Sequence, residues 1–382
     1  MAESTTATPI AGKYLRLHLC RGIGAIRFGN LLRDLGSIDD VLGASVARLE
    51  GVERIGPQLA ERIARQRDTV PVERELELAS LTGVRILCLA DADYPPPLKK
   101  INDPPACLYV RGTLQPEDTL ALGIVGSRHC SRYGAEQAER FGALLANAGL
   151  TVVSGMARGI DAAAHRGALT TAGRTLAVLG CGLAHLYPSE SIELAQQIAE
   201  SGALLSELPM EVAPDSKNFP PRNRIIAGLS LGVLVVEAAS RSGALISARL
   251  ASEYNREVFV IPGRIDMPQA QGCHELIQKG GAKLVTCLED ILDELGETGA
   301  ALMPETEDDE TDETPEPTTL VKLTDEEQRV LKALGSEPIP LEAICESCDL
   351  APAKIAGALT TLQLKGAARR VQGDMFISNR KS

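Results

Sequence analysis

The sequence predicts an α/β protein: a parallel-sheet core, preceded by an all-α unit and followed by a winged-helix-like unit. Three observations carry this. Between Leu120 and Gly263, short apolar runs of strand length alternate with segments whose apolar residues recur at helical spacing. From Lys13 to about Arg74 only helical spacing is present, interrupted by Gly-bearing turns. Beyond an acidic Thr/Pro stretch, three helical segments and a hairpin close the chain. The expected divisions are a helical unit over 13–80, a core over 82–298, an acidic disordered linker over 301–319 and the winged-helix-like unit over 320–382.

Residues 1–12 are small and polar, and disorder is expected there. In the helical unit, the stretches Cys20–Gly29 and Leu49–Ile63 have the form of helix-hairpin-helix turns, in which glycine amides approach a DNA phosphate. Glu50 and Glu53 beside the second turn would repel phosphate, which favours a packing role for these glycines. Val84–Leu89 and Ala106–Arg111 then read as strands leading into the main sheet, separated by the rigid turn Tyr94–Leu98 and closed by Gly112.

In the core, the strand Leu120–Val125 meets the loop Gly126-Ser127-Arg128 and a helix over Tyr133–Gly149. A strand near Leu150–Val153 leads into Ser154–Asp161 and a helix running to Arg174. Thr175–Leu179 is the next strand, followed by a helix near Ser191–Gly202 and the strand Ala203–Glu207. The basic segment Asn218–Ser230 precedes the strand Leu231–Glu237; after Ala238–Ser247 come a helix to Tyr254 and the strand Glu257–Gly263. Apolar strands of this kind lie buried on both faces of a parallel sheet, whose ligands sit outside the strand C-terminal ends. The terminal unit reads as helices Thr324–Leu334, Leu341–Cys348 and Ala351–Leu364, a turn at Pro338–Pro340 and a hairpin over Ala367–Ile377.

Composition excludes several classes. No apolar run approaches the ~20 residues of a membrane span, and no signal-peptide pattern opens the chain, so a soluble cytoplasmic protein is expected. The nine cysteines are scattered apart from Cys345 and Cys348, and no second pair or histidines complete a zinc set, so no metal is expected. The net charge is −12, but eight acids and no bases fall between Ala301 and Thr319, leaving −4 for the rest. A local basic groove is therefore compatible with the total. Neither G-x-G-x-x-G nor G-x-x-x-x-G-K-[ST] is present, so no dinucleotide or P-loop cofactor is expected. Asp161 and His165 stand one helical turn apart, the spacing of an acid–base pair, but a helix N-terminal acid beside a structural histidine fits as well.

What remains is a row of anion-seeking elements. A strand, a tight Gly/Ser turn and a helix aim backbone amides and a helix N-terminus at an anion. Arg128 and Arg132 stand on the first such loop, Arg158 on the second, Lys217, Arg222 and Arg224 around Phe219, and Arg241 on the last. A basic track beside an aromatic is how single-stranded nucleic acid is held.

Gly126-Ser127-Arg128, Ser154–Asp161, Phe219–Ser230 and Ser242–Ser247 together resemble the DprA/Smf family of DNA-processing proteins of natural transformation. The likeness spans the core, with Tyr94-Pro95 and Pro104-Pro105 also matching. It implies a Rossmann-like, non-enzymatic core that binds single-stranded DNA, forms a homodimer and loads the RecA recombinase. It further implies that Gly126, Ser127 and Arg128 hold phosphate, with Phe219, Arg222, Asn223 and Arg224 lining the same groove. The basic residue that family members carry just ahead of the Phe-Pro corresponds to Lys217. Arg132, Ser154, Gly155, Arg158, Ser242 and Gly243 complete the expected DNA-binding set, and a dimer surface is expected near Gly263–Leu295. Two other readings stand beside it: a phosphoribosyl-cleaving enzyme using the same sheet edge with Glu237 as its carboxylate, and a transcription regulator acting through the winged helix.

Overall fold

A computed structural model describes residues 6–303, 324–334, 339–348, 352–364, 368–371 and 375–378. Residues 1–5 and the expected linker from residue 304 onward lie outside the described residues. The chain forms two compact units, Met1–Glu305 and Thr306–Ser382.

Six helices open the first unit: α1 (Pro9–His18), α2 (Ala25–Leu35), α3 (Ile38–Gly43), α4 (Val46–Glu50), α5 (Pro57–Gln66) and α6 (Val72–Leu81). Then come β1 (Val84–Cys88), the short α7 (Pro96–Lys99), β2 (Cys107–Gly112) and β3 (Ala121–Val125). Next are α8 (Arg132–Asn147), β4 (Thr151–Ser154), α9 (Ile160–Thr170), β5 (Thr175–Leu179), α10 (Ile192–Ser201) and β6 (Ala203–Ser206). The series continues with α11 (Phe219–Leu229), β7 (Gly232–Val235), α12 (Ala244–Glu253), β8 (Glu257–Val260), α13 (Gln271–Gln278), β9 (Lys283–Leu284), α14 (Glu289–Glu294) and α15 (Glu297–Ala300).

The sheet has nine strands in the order β1-β2-β6-β5-β4-β3-β7-β8-β9. From β6 to β9 all neighbours run parallel, whereas β2 pairs antiparallel with both β6 and β1. The chain builds outward from β3 to β6 on one side, then returns to place β7 on the other side of β3. That reversal makes the β3/β7 boundary the topological switch point, where a ligand crevice opens beyond the strand ends.

Both faces are covered. Phe141 of α8 and Ile160 of α9 pack with Leu122, Ile124 and Leu234 on one face. Ile225 and Ile226 of α11 and Ala248 of α12 pack with Val125, Val178 and Val235 on the other. The helical unit shares a third apolar cluster with the sheet, in which Leu15, Phe28 and Leu49 join Tyr109, Leu179 and Leu204. Buried Glu75 of α6 fastens this junction by accepting from the Tyr109 hydroxyl at 2.8 Å and the Met210 amide at 2.7 Å.

One stretch has no element predicted from the sequence. Phe219-Pro220-Pro221 opens a full helix, α11, with prolines at its first positions. Their missing N–H groups have no intrahelical partner there in any case.

The second unit contains α16 (Asp325–Ala333), β10 (Ile339–Pro340), α17 (Leu341–Ser347), α18 (Pro352–Leu364), β11 (Ala368–Val371) and β12 (Met375–Ser378). Its three strands run in the order β10-β12-β11, the sheet of a winged helix. Ile339–Pro340, expected as part of a turn, pairs instead with Met375 and Phe376. Cys348 is buried in this unit's core with no disulfide partner, and among the described residues no group of His, Cys, Asp and Glu is arranged to hold a metal. No helix among them is long and apolar enough to cross a membrane.

Candidate nucleic-acid interface

The loop after β3 is held from below. The Ser127 amide donates to the Glu237 carbonyl at 2.8 Å, and the Ile160 amide donates to the Ser127 carbonyl at 3.2 Å. Ser131 caps α8 by accepting from the Gly134 amide at 3.0 Å. The Ser131 amide donates to the Glu237 carboxylate at 2.8 Å, and its hydroxyl donates to the other oxygen. A Cβ on Gly126 would stand 2.5 Å from an Ile160 side-chain carbon, so only glycine lets α9 come this close to the turn. Buried Glu237 thus anchors the loop, and its oxygens are engaged by Ser131 rather than turned to a reacting centre.

Above this support lies a pocket of about 340 Å³ at the switch point. Gly126, Ser127 and Arg128 border it from the β3 loop; Phe219, Arg222 and Asn223 from α11; Ser242 and Gly243 from the start of α12. These eight expected residues converge from three segments of the chain. Gly243 is the N-cap of α12, the Ala244 amide donates to the Ser242 hydroxyl at 3.3 Å, and the positive end of the helix borders the pocket. Ser216 and Ser247, which lie outside the expected DNA-binding set, also line it, and the buried Ser247 hydroxyl has no hydrogen-bond partner among the described residues.

Arg222 is 6% exposed, and its Nη1 donates to the Gly155 carbonyl at 2.8 Å and to the Val178 carbonyl. Burial pulls its pKa down to about 10, with Asp161 opposing the shift, so the guanidinium keeps its charge at neutral pH. Buried Asp161 is raised in turn by desolvation, against the pull of Arg222. The side chain of Arg222 therefore knits β4, β5 and α11 together and lends fixed positive charge to the pocket wall.

Arg128, by contrast, is exposed, and its guanidinium lies 4.6 Å from the centre of the Phe219 ring. Beyond this pair the surface continues into a smaller lobe of about 130 Å³, bordered by Gly155, Arg158, Gly180 and Tyr187. Tyr187 was not foreseen. Its ring is 43% exposed and stands 6.0 Å from Phe219 at a 49° tilt. It lies far from the Gly/Ser turns in sequence, and only its exposure in the fold marks it.

Six other expected residues lie outside the larger pocket. Arg224 is buried, donating to Asp103 at 3.1 Å and Glu207 at 2.6 Å, and it does not border the switch-point pocket. Residues two apart on a helix differ by ~200°, so Arg222 and Arg224 cannot share a groove. Ser154 is fully buried and donates to the Ile124 carbonyl at 2.6 Å; its hydroxyl ties β4 to β3. Arg132 pairs with Glu136 at 2.7 Å on the outer side of α8. Lys217 is exposed beside the pocket and pairs with Asp215 at 2.8 Å, while Arg158 pairs with Glu190 at the smaller lobe. Arg241 is exposed outside both lobes.

Asp161 and His165 are not bonded to each other. Thr175 donates its hydroxyl to the Val152 carbonyl at 2.8 Å, so the imidazole Nδ1–H must donate to Thr175 at 2.7 Å. Burial pushes His165 down to about 3, leaving a neutral structural ring.

A mostly parallel, doubly covered sheet with a pocket at its switch point, followed by a winged helix, defines a Rossmann-like protein with an appended winged-helix unit. The chain belongs to the DprA/Smf family of DNA-processing proteins. The family model described as DNA recombination-mediator protein A matches residues 85–296, and that described as the DprA winged helix domain matches 314–374. Protein Smf of Escherichia coli is 41% identical over 286 residues, covering 74% of this chain and 75% of its own. The X-ray structure of DNA processing protein A from Streptococcus pneumoniae superposes with a TM-score of 0.63 at 36% identity, covering 74% of this chain and 97% of that one. DNA processing protein A from Helicobacter pylori, whose structure was described for its single-stranded DNA binding mode, gives 0.50 at 31% identity over 55% of this chain and 95% of its own.

Proposed function

We propose that this protein binds single-stranded DNA along the β3/β7 crevice and acts, without catalysing a reaction itself, as a recombination mediator that loads the RecA recombinase. The observation that carries the reading is the exposed Arg128 guanidinium stacked on Phe219 at the rim of the phosphate pocket. Phosphate sits at the α12 N-terminus against Ser127, Ser242 and Arg128, and the neighbouring base lies toward Tyr187. Such a site grips the backbone and a π-face and so tolerates any sequence. The single-strand binding described for the Helicobacter pylori relative supports it. Engagement of Glu237 by Ser131 removes the main support for a phosphoribosyl-cleaving enzyme.

The protein acts as a homodimer through the Gly263–Leu295 segment, where Ile265 is 92% exposed and Leu284, on the two-residue edge strand β9, is 44% exposed. The experiment that tests the function compares affinity for oligo(dT) with that for a duplex of equal length, then asks whether the protein speeds RecA filament formation on the single strand. Preference for the single strand with faster nucleation is expected. Equal binding to both forms, or no effect on RecA, would oppose it.

A further inference from the structure

A second cleft of the first unit is larger than the phosphate pocket. It measures about 680 Å³ and lies between the N-terminal hairpins and helices α11 and α12. Pro220 and Ile246 border both cavities, so the two are neighbours across a single low ridge. We propose that this cleft continues the path of single-stranded DNA. A strand leaving the phosphate pocket crosses Pro220 and Ile246 and lies between the hairpin turns and the core. The inference rests on the reading of the pocket given above.

The charge at the cleft favours a polyanion. Arg27, Arg54, Arg224 and Arg249 border it, against Asp103 and Glu207. Both carboxylates already accept from Arg224, so the positive charge nearer the rim is not answered by them. Arg54 and Arg249 have only exposed partners, Glu53 at 3.6 Å and Glu253 at 3.4 Å. Exposed pairs of this kind are worth little and yield readily to a phosphate.

The backbone is arranged for a close approach. In the first hairpin Gly22 has φ +93° just before Gly24, the N-cap of α2; in the second, Arg54 has φ +65° just before Gly56, the N-cap of α5. Arg54 thus holds the left-handed conformation that glycine holds in its counterpart, and a strained side chain at a surface points to use. Arg27 donates to the Gly22 carbonyl at 2.8 Å and the Arg54 carbonyl at 3.1 Å, fixing the two turns relative to each other. Ile26, 47% exposed, faces Leu250, Pro220 and Pro221 and supplies an apolar wall for bases. Arg224 Nη1 and His18 Nε2, both in residues bordering the cleft, lack hydrogen-bond partners.

The test measures affinity of the full chain for oligo(dT) of about 4 to about 16 nucleotides, the range of single-strand site sizes, across a salt series. Wild type is compared with Arg54→Gly, with Arg54→Gly/Arg249→Ala and with Arg128→Ala. Glycine suits the backbone at position 54, so a thermal midpoint at or above wild type separates binding loss from unfolding. Wild-type affinity should rise with length. The double variant should match wild type on the shortest strand and lose the gain on the longest. Its salt slope on the longest strand should fall by about 1.4, about 0.7 for each phosphate contact removed. An unchanged slope on the longest strand, or an equal loss at both lengths, overturns the continuation while leaving the pocket standing. Failure of wild type to bind any strand overturns the pocket, and the continuation with it.

Discussion

The Arg128 guanidinium rides on the Phe219 ring at 4.6 Å, and the same ring packs against the backbone at Gly180, where a Cβ would come within 2.9 Å of it. Phe219 is therefore committed to protein contacts, with Tyr187 and Arg222 also beside its ring, and serves to orient Arg128. Phe219→Ala should weaken single-strand binding about 2- to 30-fold, the loss of a cation–π contact of ~0.5–2 kcal/mol. Phe219→Tyr should retain it. Equilibrium anisotropy with labelled oligo(dT) checks both, and wild-type affinity in Phe219→Ala would refute the positioning role.

Tyr187 is the open aromatic face beside that pair. Tyr187→Ala should lose ~1–3 kcal/mol on oligo(dT), the range for one stacked base. On an abasic strand of equal length the variant and wild type should bind alike. A loss on both strands would assign Tyr187 to structure instead.

Arg222 and Gly155 belong to the framework. Arg222→Ala strips two buried carbonyls of a charged donor and should cost at least ~1.5–3 kcal/mol of folding stability. Gly155→Ala should be destabilised by ~1–3 kcal/mol through overpacking, because its Cβ would fall 2.4 Å from the Arg222 guanidinium. Urea titration measures both, and native stability in either variant would show that the contact is dispensable.

His165 gives a pH dependence with a definite sign. Its folded value of about 3 lies below the ordinary histidine value of 6.5, so the unfolded chain takes up a proton that the folded ring refuses. The stability is fully present above about pH 6.5 and is lost as pH falls toward 3, at ~1.4 kcal/mol per unit. Between about pH 7 and about pH 5 the loss should reach ~2 kcal/mol. Burial also lowers His18, which adds in the same direction. His165→Asn, which keeps a donor toward Thr175, should remove the His165 share of the slope in urea titrations at the two pH values. An unchanged slope would contradict the assignment.

The strands were largely legible because buried parallel strands are short apolar runs bounded by turns; Thr175–Leu179 was read to the residue. The Gly126-Ser127-Arg128 turn was legible for the same local reason. Helix α11 was not: Asn218–Ser230 reads only as a basic segment, although Pro220 and Pro221 fit the first positions of a helix. The run Arg222-Asn223-Arg224 read as one patch until the helix turned its two arginines to different neighbours. Tyr187 and the hairpin cleft depend on segments brought together only by the fold, which no local spacing encodes.

The most direct test of the account is the salt dependence of single-strand affinity in wild type and Arg128→Ala. Wild type should show a steep linear fall of log affinity with log salt. Arg128→Ala should bind more weakly on every strand sequence, with a slope shallower by about 0.7, one phosphate contact. Equal affinity and equal slope in the two proteins would contradict the central claim that Arg128, held by Phe219 at the switch point, grips the DNA backbone.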